Sequence, residues 1–376
     1  MDSAPTTEGQ IFWKDYSVSK QELIERFAKY GFKPTLQQIT EQICEYFPFM
    51  KYWISDESLD DMFQNVKNYR AEWVEQPYRV NALSIPSTKL KYRGKPLILK
   101  NVHGDYLKYN LIVEWFAEHI RLRARRFDQL ENILTFYQNH THQVVKHCAK
   151  RYKKITAEDV RESIYRNHYE CTEFRVTHIC AVIDMWKPKR ILDFSSGRGA
   201  RLIGALGRED VIEQYVGVDP DPNVHPIYER MIARFAKDHG KFIMIQAPFE
   251  SDEIDVTSDY DLVFTSPPYF NLEIYNVDDP NQSTNKYPTI KQWLDGFMIP
   301  SLRKAWKALR PDGRLALVLS DPARSAYPDG NVPKYTSKVV QFCHSMGGRY
   351  EGVLSYAGFE KNKPRSPQPI WVWQKL

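Results

Sequence analysis

The sequence predicts an α/β protein: a doubly wound parallel sheet with a C-terminal antiparallel hairpin, preceded by a mainly helical N-terminal domain. Three observations carry this. From about residue 187 onward, short apolar runs alternate with helical patterns, which implies a parallel sheet covered on both faces. The last two apolar runs, "RYEGVLSYAG" and "PIWVWQKL", have no helix between them, which places an antiparallel hairpin at one edge. Between about residues 17 and 165, apolar residues recur mostly at spacings of three and four, the period of amphipathic helices. The expected domains are therefore 1–165 and 166–376.

In the first domain, "SVSKQELIERFAKYGF" offers Ser19 and Glu22 as a capping box, Leu23, Ile24 and Phe27 on one face, and Gly31 as a stop. "PTLQQITEQICEYF" repeats the pattern with Leu36, Ile39, Ile43 and Phe47. "LSIPSTKLKYRGKPLIL" places Pro86, Gly94 and Pro96 between short apolar runs and reads as a loop or small hairpin. "NLIVEWFAEHIRLRARRFDQLENILTFYQ" then opens long amphipathic helices.

In the second domain the strands are "KPKRILDF", "EQYVGVDPD", "KFIMIQ", "DYDLVFTS" and "GRLALVLSD". Helices fill the gaps: the pattern after Gly199, "VHPIYERMIARFAKDHG", "TIKQWLDGFMIPSLRKAWKAL" and "KYTSKVVQFCHSM".

At 376 residues and 44.3 kDa the chain has room for two cores. A formal charge of +5 permits a polyanionic partner without requiring one. The first residues lack a charged start followed by an apolar core, and no apolar run approaches the roughly 18 to 20 residues of a membrane span. Five cysteines are scattered and never form C-x-x-C, so a reducing compartment with free thiols is expected, and a soluble, intracellular protein.

In such sheets ligands bind beyond the carboxyl ends of the strands, where strand order switches. After the first strand comes Asp193-Phe194-Ser195-Ser196-Gly197-Arg198-Gly199, whose glycines permit a tight turn and close approach of backbone to a ligand. No third glycine completes a dinucleotide fingerprint, and no G-K-[ST] comes after the turn to form a phosphate loop. Asp219 ends the second strand, roughly 20 residues past the turn, where an acid can accept from both ribose hydroxyls. After the third strand, Gln246, Phe249 and Glu250 are candidates for holding an adenine ring. The fourth strand ends in Ser266-Pro267-Pro268-Tyr269. Two prolines donate no N–H and hold φ near −65°, so this corner is rigid and rich in acceptors.

These motifs resemble the S-adenosylmethionine-dependent amino methyltransferases that act on exocyclic nitrogens of nucleic-acid bases, especially the methylase-type proteins of bacteriophages and large DNA viruses. "LDFSSGRGARLIGA" is similar to the family's cofactor loop, "VGVDP" to its ribose acid, and "FTSPPYF" to its catalytic [DNS]-P-P-[YFW] tetrapeptide. "QSTNKY", "WLDGFM" and "LRPDGRLALVLSD" add support, and the resemblance covers about residues 165 to 376. It implies a Rossmann-like methyltransferase fold and S-adenosylmethionine as cofactor. The implied cofactor residues are Asp193, Phe194, Ser195, Gly197, Gly199, Asp219, Phe249 and Glu250, with Phe174 and Arg175 in a methionine-moiety element. It further implies that Ser266 Oγ and the Pro267 carbonyl accept from the target amino group while Tyr269 stacks on the base. Phe194 and Ser195 depart from the family's usual proline–phenylalanine pair. Serine at the first tetrapeptide position favours cytosine N4 slightly over adenine N6, with a duplex base flipped out to reach the pocket.

The implied substrate is nucleic acid, DNA favoured over RNA. An RNA base methyltransferase and an inactive, cofactor-binding partner subunit are the alternatives. The N-terminal domain is the expected recognition element, with Arg121, Arg123, Arg125 and Arg126 its densest basic run, followed by Lys146, Lys150, Arg151, Lys153 and Lys154. His140, His142, His147 and Cys148 lack the spacing of a regular metal site, so no metal is expected. Asp321, at the end of the fifth strand, either assists base binding or caps the next element of the chain.

Overall fold

The structure, a computed structural model, describes residues 13, 16–52, 54–75, 91–92, 95–101, 106–256, 259–322, 327, 330–360 and 363–376. The chain divides into two compact units, Met1–Asp60 with Glu114–Thr172, and Asp61–Val113 with Glu173–Leu376. The expected boundary at 165/166 thus moves to 172/173, and a segment from the first half joins the second unit. Contacts within that unit explain this. Phe63 stacks on Phe235 at 4.3 Å, and Arg208 donates to the carbonyls of Val66 and Tyr69.

The first unit is helical. Helix α1 (Lys20–Tyr30) starts at Ser19, whose Oγ accepts from Glu22 N at 3.2 Å. Half of the expected capping box forms, because the Glu22 carboxylate turns to Arg26 instead. Gly31 ends α1 with φ 86°, and α2 (Phe32–Ile43) comes directly after it. Helices α3 (Ile133–Arg151) and α4 (Ala157–Asn167) start at Asn132 and Thr156, whose side chains cap Thr135 N and Asp159 N. Leu36, Ile39, Ile43, Ile133, Val144 and Val160 share one apolar core.

The second unit holds the sheet. Its strands are β1 (Trp73–Glu75), β2 (Lys95–Asn101), β3 (Arg190–Asp193), β4 (Gln214–Val218), β5 (Phe242–Ile245), β6 (Tyr260–Thr265), β7 (Leu309–Val318), β8 (Arg349–Glu360) and β9 (Lys363–Gln374). Their order is β1-β2-β8-β9-β7-β6-β3-β4-β5, and Lys91–Tyr92 pairs off β2. That ladder is the described part of the expected hairpin at 83–99; residues 83–90 and 93–94 lie outside the described residues. The strands β7, β6, β3, β4 and β5 run parallel, and β9 joins antiparallel to both β7 and β8. This is a doubly wound, Rossmann-like α/β sheet with the expected C-terminal hairpin. The strands β1 and β2 extend it past β8, an addition that sequence periodicity did not suggest.

Helices cover both faces. Helices α5 (Val176–Trp186), α6 (Ala200–Leu206) and α7 (His225–Phe235) pack on one another as one layer. On the other face, Trp293, Phe297, Met298 and Leu302 share a core with Val263, Leu315 and Leu317, together with Val339 and Val340. The single long helix expected over 289–309 is instead a helical turn (Ile290–Trp293), a wide π-turn (Leu294–Met298) and α8 (Ile299–Ala308). Pro300 explains this, since its ring has no N–H to donate and would clash with the carbonyl four residues back. Helix α9 (Thr336–Ser345) precedes the hairpin.

Candidate active site

Strand order reverses between β3 and β6. The chain runs from β3 outward to β4 and β5, then crosses back to β6 on the opposite side of β3. Ile191 and Leu192 pair with Leu262 and Val263, so these neighbouring strands release their loops from the same edge of the sheet. Those loops carry the glycine turn and the Ser-Pro-Pro-Tyr corner.

The glycine turn is held from below and from the side. Asp193 is fully buried, and its carboxylate accepts from Arg201 Nε at 2.6 Å and from the Tyr215 hydroxyl at 2.8 Å. Arg201 also donates to the Ser195 carbonyl. The expected cofactor ligand Asp193 is therefore committed to bracing the turn from beneath. Gly197 has φ 59° and Gly199 has φ 91°, backbone that suits glycine. A Cβ on Gly199 would sit 2.8 Å from Met231 Sδ, whereas one on Gly197 would meet nothing within 4 Å. Gly199 is thus packed on α7, and Gly197 faces open space where a ligand can approach.

Asp219, at the tip of β4, accepts from Gly197 N at 2.8 Å through Oδ2 and from Asp221 N at 3.1 Å through Oδ1. A carboxylate offers about four acceptor positions, so each oxygen keeps capacity for a hydroxyl. Burial pushes this carboxyl up to about 7, against the pull of the two backbone N–H bonds. Phe174 lies with its ring 4.7 Å from the Arg201 guanidinium and 6.0 Å from the Phe264 ring. Arg198 is paired at 2.6 Å with Glu173, the residue before Phe174.

One expected adenine contact, Phe249, is corrected, and a second, Glu250, has partners within the chain. Phe249 is 2% exposed and stacks on Phe194 at 5.1 Å and 12°, so both rings are spent on the core and Phe249 has no open face. Glu250 is nearly buried and is paired with Lys286 at 3.1 Å, with the Tyr287 hydroxyl at 3.3 Å.

At the corner, Pro267 is buried while Ser266 and Tyr269 are half-buried. Phe270 comes next with φ 52°, unusual for a bulky side chain, and is held there by packing against Trp293 at 5.9 Å. Burial raises the Tyr269 hydroxyl to about 12, against the pull of the Ser266 and Ser320 side chains. Ser320 Oγ donates to Gln368 Oε1 at 3.3 Å, and the Ser320 carbonyl accepts from the Tyr335 hydroxyl at 3.1 Å. Asp321 accepts from Tyr335 N, Thr336 N and Thr336 Oγ1, each at 3.0 Å, so it caps α9. Sequence reasoning singled out Asp321 and passed over Ser320 and Gln368. The available signal was a second polar residue where the apolar strand ends. For Arg201 it was a cation inside an otherwise apolar helix.

In the helical unit the arginine run is corrected in part. Arg121 is 2% exposed and is ion-paired with Glu114 at 2.8 Å and with Glu170, so it cannot reach a phosphate. Arg125 donates to the Gln129 carbonyl, Arg126 pairs with Asp128, and Arg123 is exposed. Lys146, Lys150, Arg151, Lys153 and Lys154 are all exposed. His140, His142 and His147 turn to three different partners, Glu131, Thr40 and Ser163.

A small cavity at the opposite ends of β3, β6 and β7 is lined by Trp186, Lys189, Asp261, Arg310 and Arg314. Asp261 pairs with Arg310 and accepts from Lys189 N and Arg190 N, so its charge secures the strand starts.

No protein-family profile and none of the curated proteins matches the chain. Among solved structures, it is similar to the N-methyltransferase NodS from Bradyrhizobium japonicum WM9, with 9% identity over 53% of this chain and 92% of that one and a TM-score of 0.35. It is also similar to the methyltransferase domain of bacterial-CtHen1-CN, with 16% identity, 53% and 96% coverage and a TM-score of 0.37. TrmN from Thermus thermophilus has 14% identity, 58% and 67% coverage and a TM-score of 0.35. Among the described residues, no helix is long and apolar enough to cross a membrane.

Proposed function

We propose that this chain is an S-adenosylmethionine-dependent methyltransferase acting on an exocyclic amino nitrogen of a nucleic-acid base, in DNA rather than RNA, and on cytosine N4 ahead of adenine N6. One observation carries the reading. The Ser266–Tyr269 corner and the glycine turn leave adjacent parallel strands at the point where strand order reverses, with Asp219 on the next tip.

The residues present fit that cofactor. Gly197 leaves room for close approach, and Asp219 has acceptor capacity for ribose hydroxyls. No lysine stands after the turn to favour a phosphate chain. When bound, S-adenosylmethionine supplies a methyl carbon made electrophilic by its sulfonium sulfur. Ser266 Oγ and the Pro267 carbonyl accept from the target amino group, which favours a pyramidal nitrogen with an available lone pair. The chain contributes positioning and electrostatics through a rigid corner. Exposed Arg123, Lys146, Lys150, Arg151 and Lys153 of the helical unit supply phosphate contacts.

Mass spectrometry of nucleosides from DNA and RNA incubated with the protein and labelled cofactor tests this. Labelled N4-methylcytosine in DNA is expected. Label in RNA or in adenine would move the substrate to those alternatives. Cofactor binding without any transfer would leave the inactive-partner reading in its place.

A further inference from the structure

Arginines on the helical layer of the second unit are held by carboxylates: Arg198 by Glu173, Arg201 by Asp193 and Arg208 by Asp184. Arg175 differs. It is half-buried, and its guanidinium has neither an ion pair nor a hydrogen bond among the described residues. The acid nearest in sequence, Glu173, is already committed to Arg198 Nε at 2.6 Å and to Phe174 N at 2.9 Å. A guanidinium presents five N–H donors in a fixed fork that matches the oxygens of a phosphate. Partial burial without an acceptor is unfavourable for such a group, and an arriving anion removes that penalty.

The backbone that carries Arg175 is gripped on both sides. Asn110, 1% exposed, donates through Nδ2 to the Phe174 carbonyl at 2.7 Å and accepts at Oδ1 from Val176 N at 3.1 Å. One side-chain amide thus fixes the two peptide groups that flank Arg175, which starts α5 without a side-chain cap bond of its own.

From Glu173 to His178 the chain crosses the carboxyl edge of the sheet. Glu173 reaches Arg198 in the turn after β3, and the Phe174 ring lies 6.0 Å from that of Phe264 in β6. The His178 ring lies 3.7 Å from that of Tyr356 in β8, and its Nε2 hydrogen-bonds Asn101 Oδ1 at the end of β2 at 3.0 Å. Arg175 and His178 are the cap and third positions of α5, neighbours on one helix face, and His178 N donates to the Arg175 carbonyl at 3.1 Å. In the sheet, β6 stands between β8 and β4, the strand whose tip carries Asp219. A cofactor reaching from Asp219 to the corner occupies one side of β6. Arg175 shares its face with a residue packed on the other side, where the target is left to lie.

We infer that Arg175 binds a backbone phosphate of the target nucleotide, with Asn110 as the positioning residue that fixes its direction. The inference rests on the nucleic-acid methyltransferase reading. It moves Arg175 from the cofactor's amino-acid end, where the family resemblance puts it, to the substrate.

Binding of a fluorescent DNA duplex to the full-length protein, followed by anisotropy across a salt series, tests this beside calorimetric cofactor binding. Arg175→Ala should weaken duplex binding roughly 10-fold at low salt, the scale of one hydrogen bond to a charged group. The slope of log affinity against log salt should become shallower by about 1. Arg175→Lys should restore the slope and only part of the affinity, because the charge returns without the fork. Asn110→Ala keeps the charge and frees the backbone, so it should weaken duplex binding with the slope retained. S-adenosylmethionine Kd should be unchanged in Arg175→Ala. An unaltered slope and affinity in Arg175→Ala would overturn the inference. So would weaker binding of S-adenosylmethionine with unchanged binding of 5′-methylthioadenosine, which lacks the amino-acid end, since that would give Arg175 to the cofactor carboxylate. A slope that depends on Arg175 in a protein that transfers no methyl group would support the phosphate contact and count against the proposed function alone.

Discussion

Gly197 donates its backbone N–H to Asp219 Oδ2 at 2.8 Å, so the acid at the tip of β4 holds the turn at the end of β3. The same carboxylate is the proposed acceptor for ribose hydroxyls, and turn geometry and ligand binding therefore depend on one group and on its charge.

That dependence predicts a pH profile. Burial raises the Asp219 carboxyl from its ordinary 3.8 to about 7. Cofactor affinity, measured calorimetrically, should strengthen as pH rises through about 7, where the group becomes a full acceptor. Asp219→Asn should flatten that profile and weaken binding overall. The folding contribution has the opposite sign. Because the native state holds the proton more tightly, the stabilisation is complete below about 3.8 and is lost as pH rises through 7. Urea midpoints across that range should fall less steeply in Asp219→Asn.

Gly199→Ala tests the packed side of the turn. The substitution forces a side chain into left-handed backbone and brings Cβ within 2.8 Å of Met231 Sδ. A loss of about 1 to 3 kcal/mol in urea unfolding is expected from the backbone conformation alone. Gly197→Ala meets no atom within 4 Å, so it should weaken cofactor binding more than its cost in stability accounts for.

Phe249→Ala separates core packing from adenine stacking. With the ring buried against Phe194, the expected result is a loss of about 3 to 5 kcal/mol in unfolding free energy. Unchanged stability with weakened cofactor binding would return Phe249 to the ligand.

For the helical unit, Arg121→Ala should cost about 3 to 5 kcal/mol, because it removes one partner of a buried ion pair with Glu114. Reversing Lys146, Lys150 and Lys153 to glutamate should leave stability nearly intact and weaken nucleic-acid binding. The slope of log affinity against log salt should become shallower by about 1 for each phosphate no longer neutralised. A slope identical to that of the unaltered protein would remove this face from the interface.

The sequence by itself determined the alternation of strands and helices, the terminal hairpin, and the motifs at the tips of β3, β4 and β6. Each depends on local chemistry: apolar period, glycine at positive φ, and proline's missing N–H. Tertiary structure decided which polar groups were already taken. Asp193, Glu250 and Arg121 carry the residue types of ligand-binding groups, yet their charges are neutralised by Arg201, Lys286 and Glu114, which lie up to 36 residues away. Phe249 likewise meets Phe194 only when the segments after β5 and β3 fold together. Ser320 and Gln368 became visible for the same reason. A hydrogen bond across 48 residues leaves no period or spacing in the chain, because a buried polar group's partner is set by distance in space.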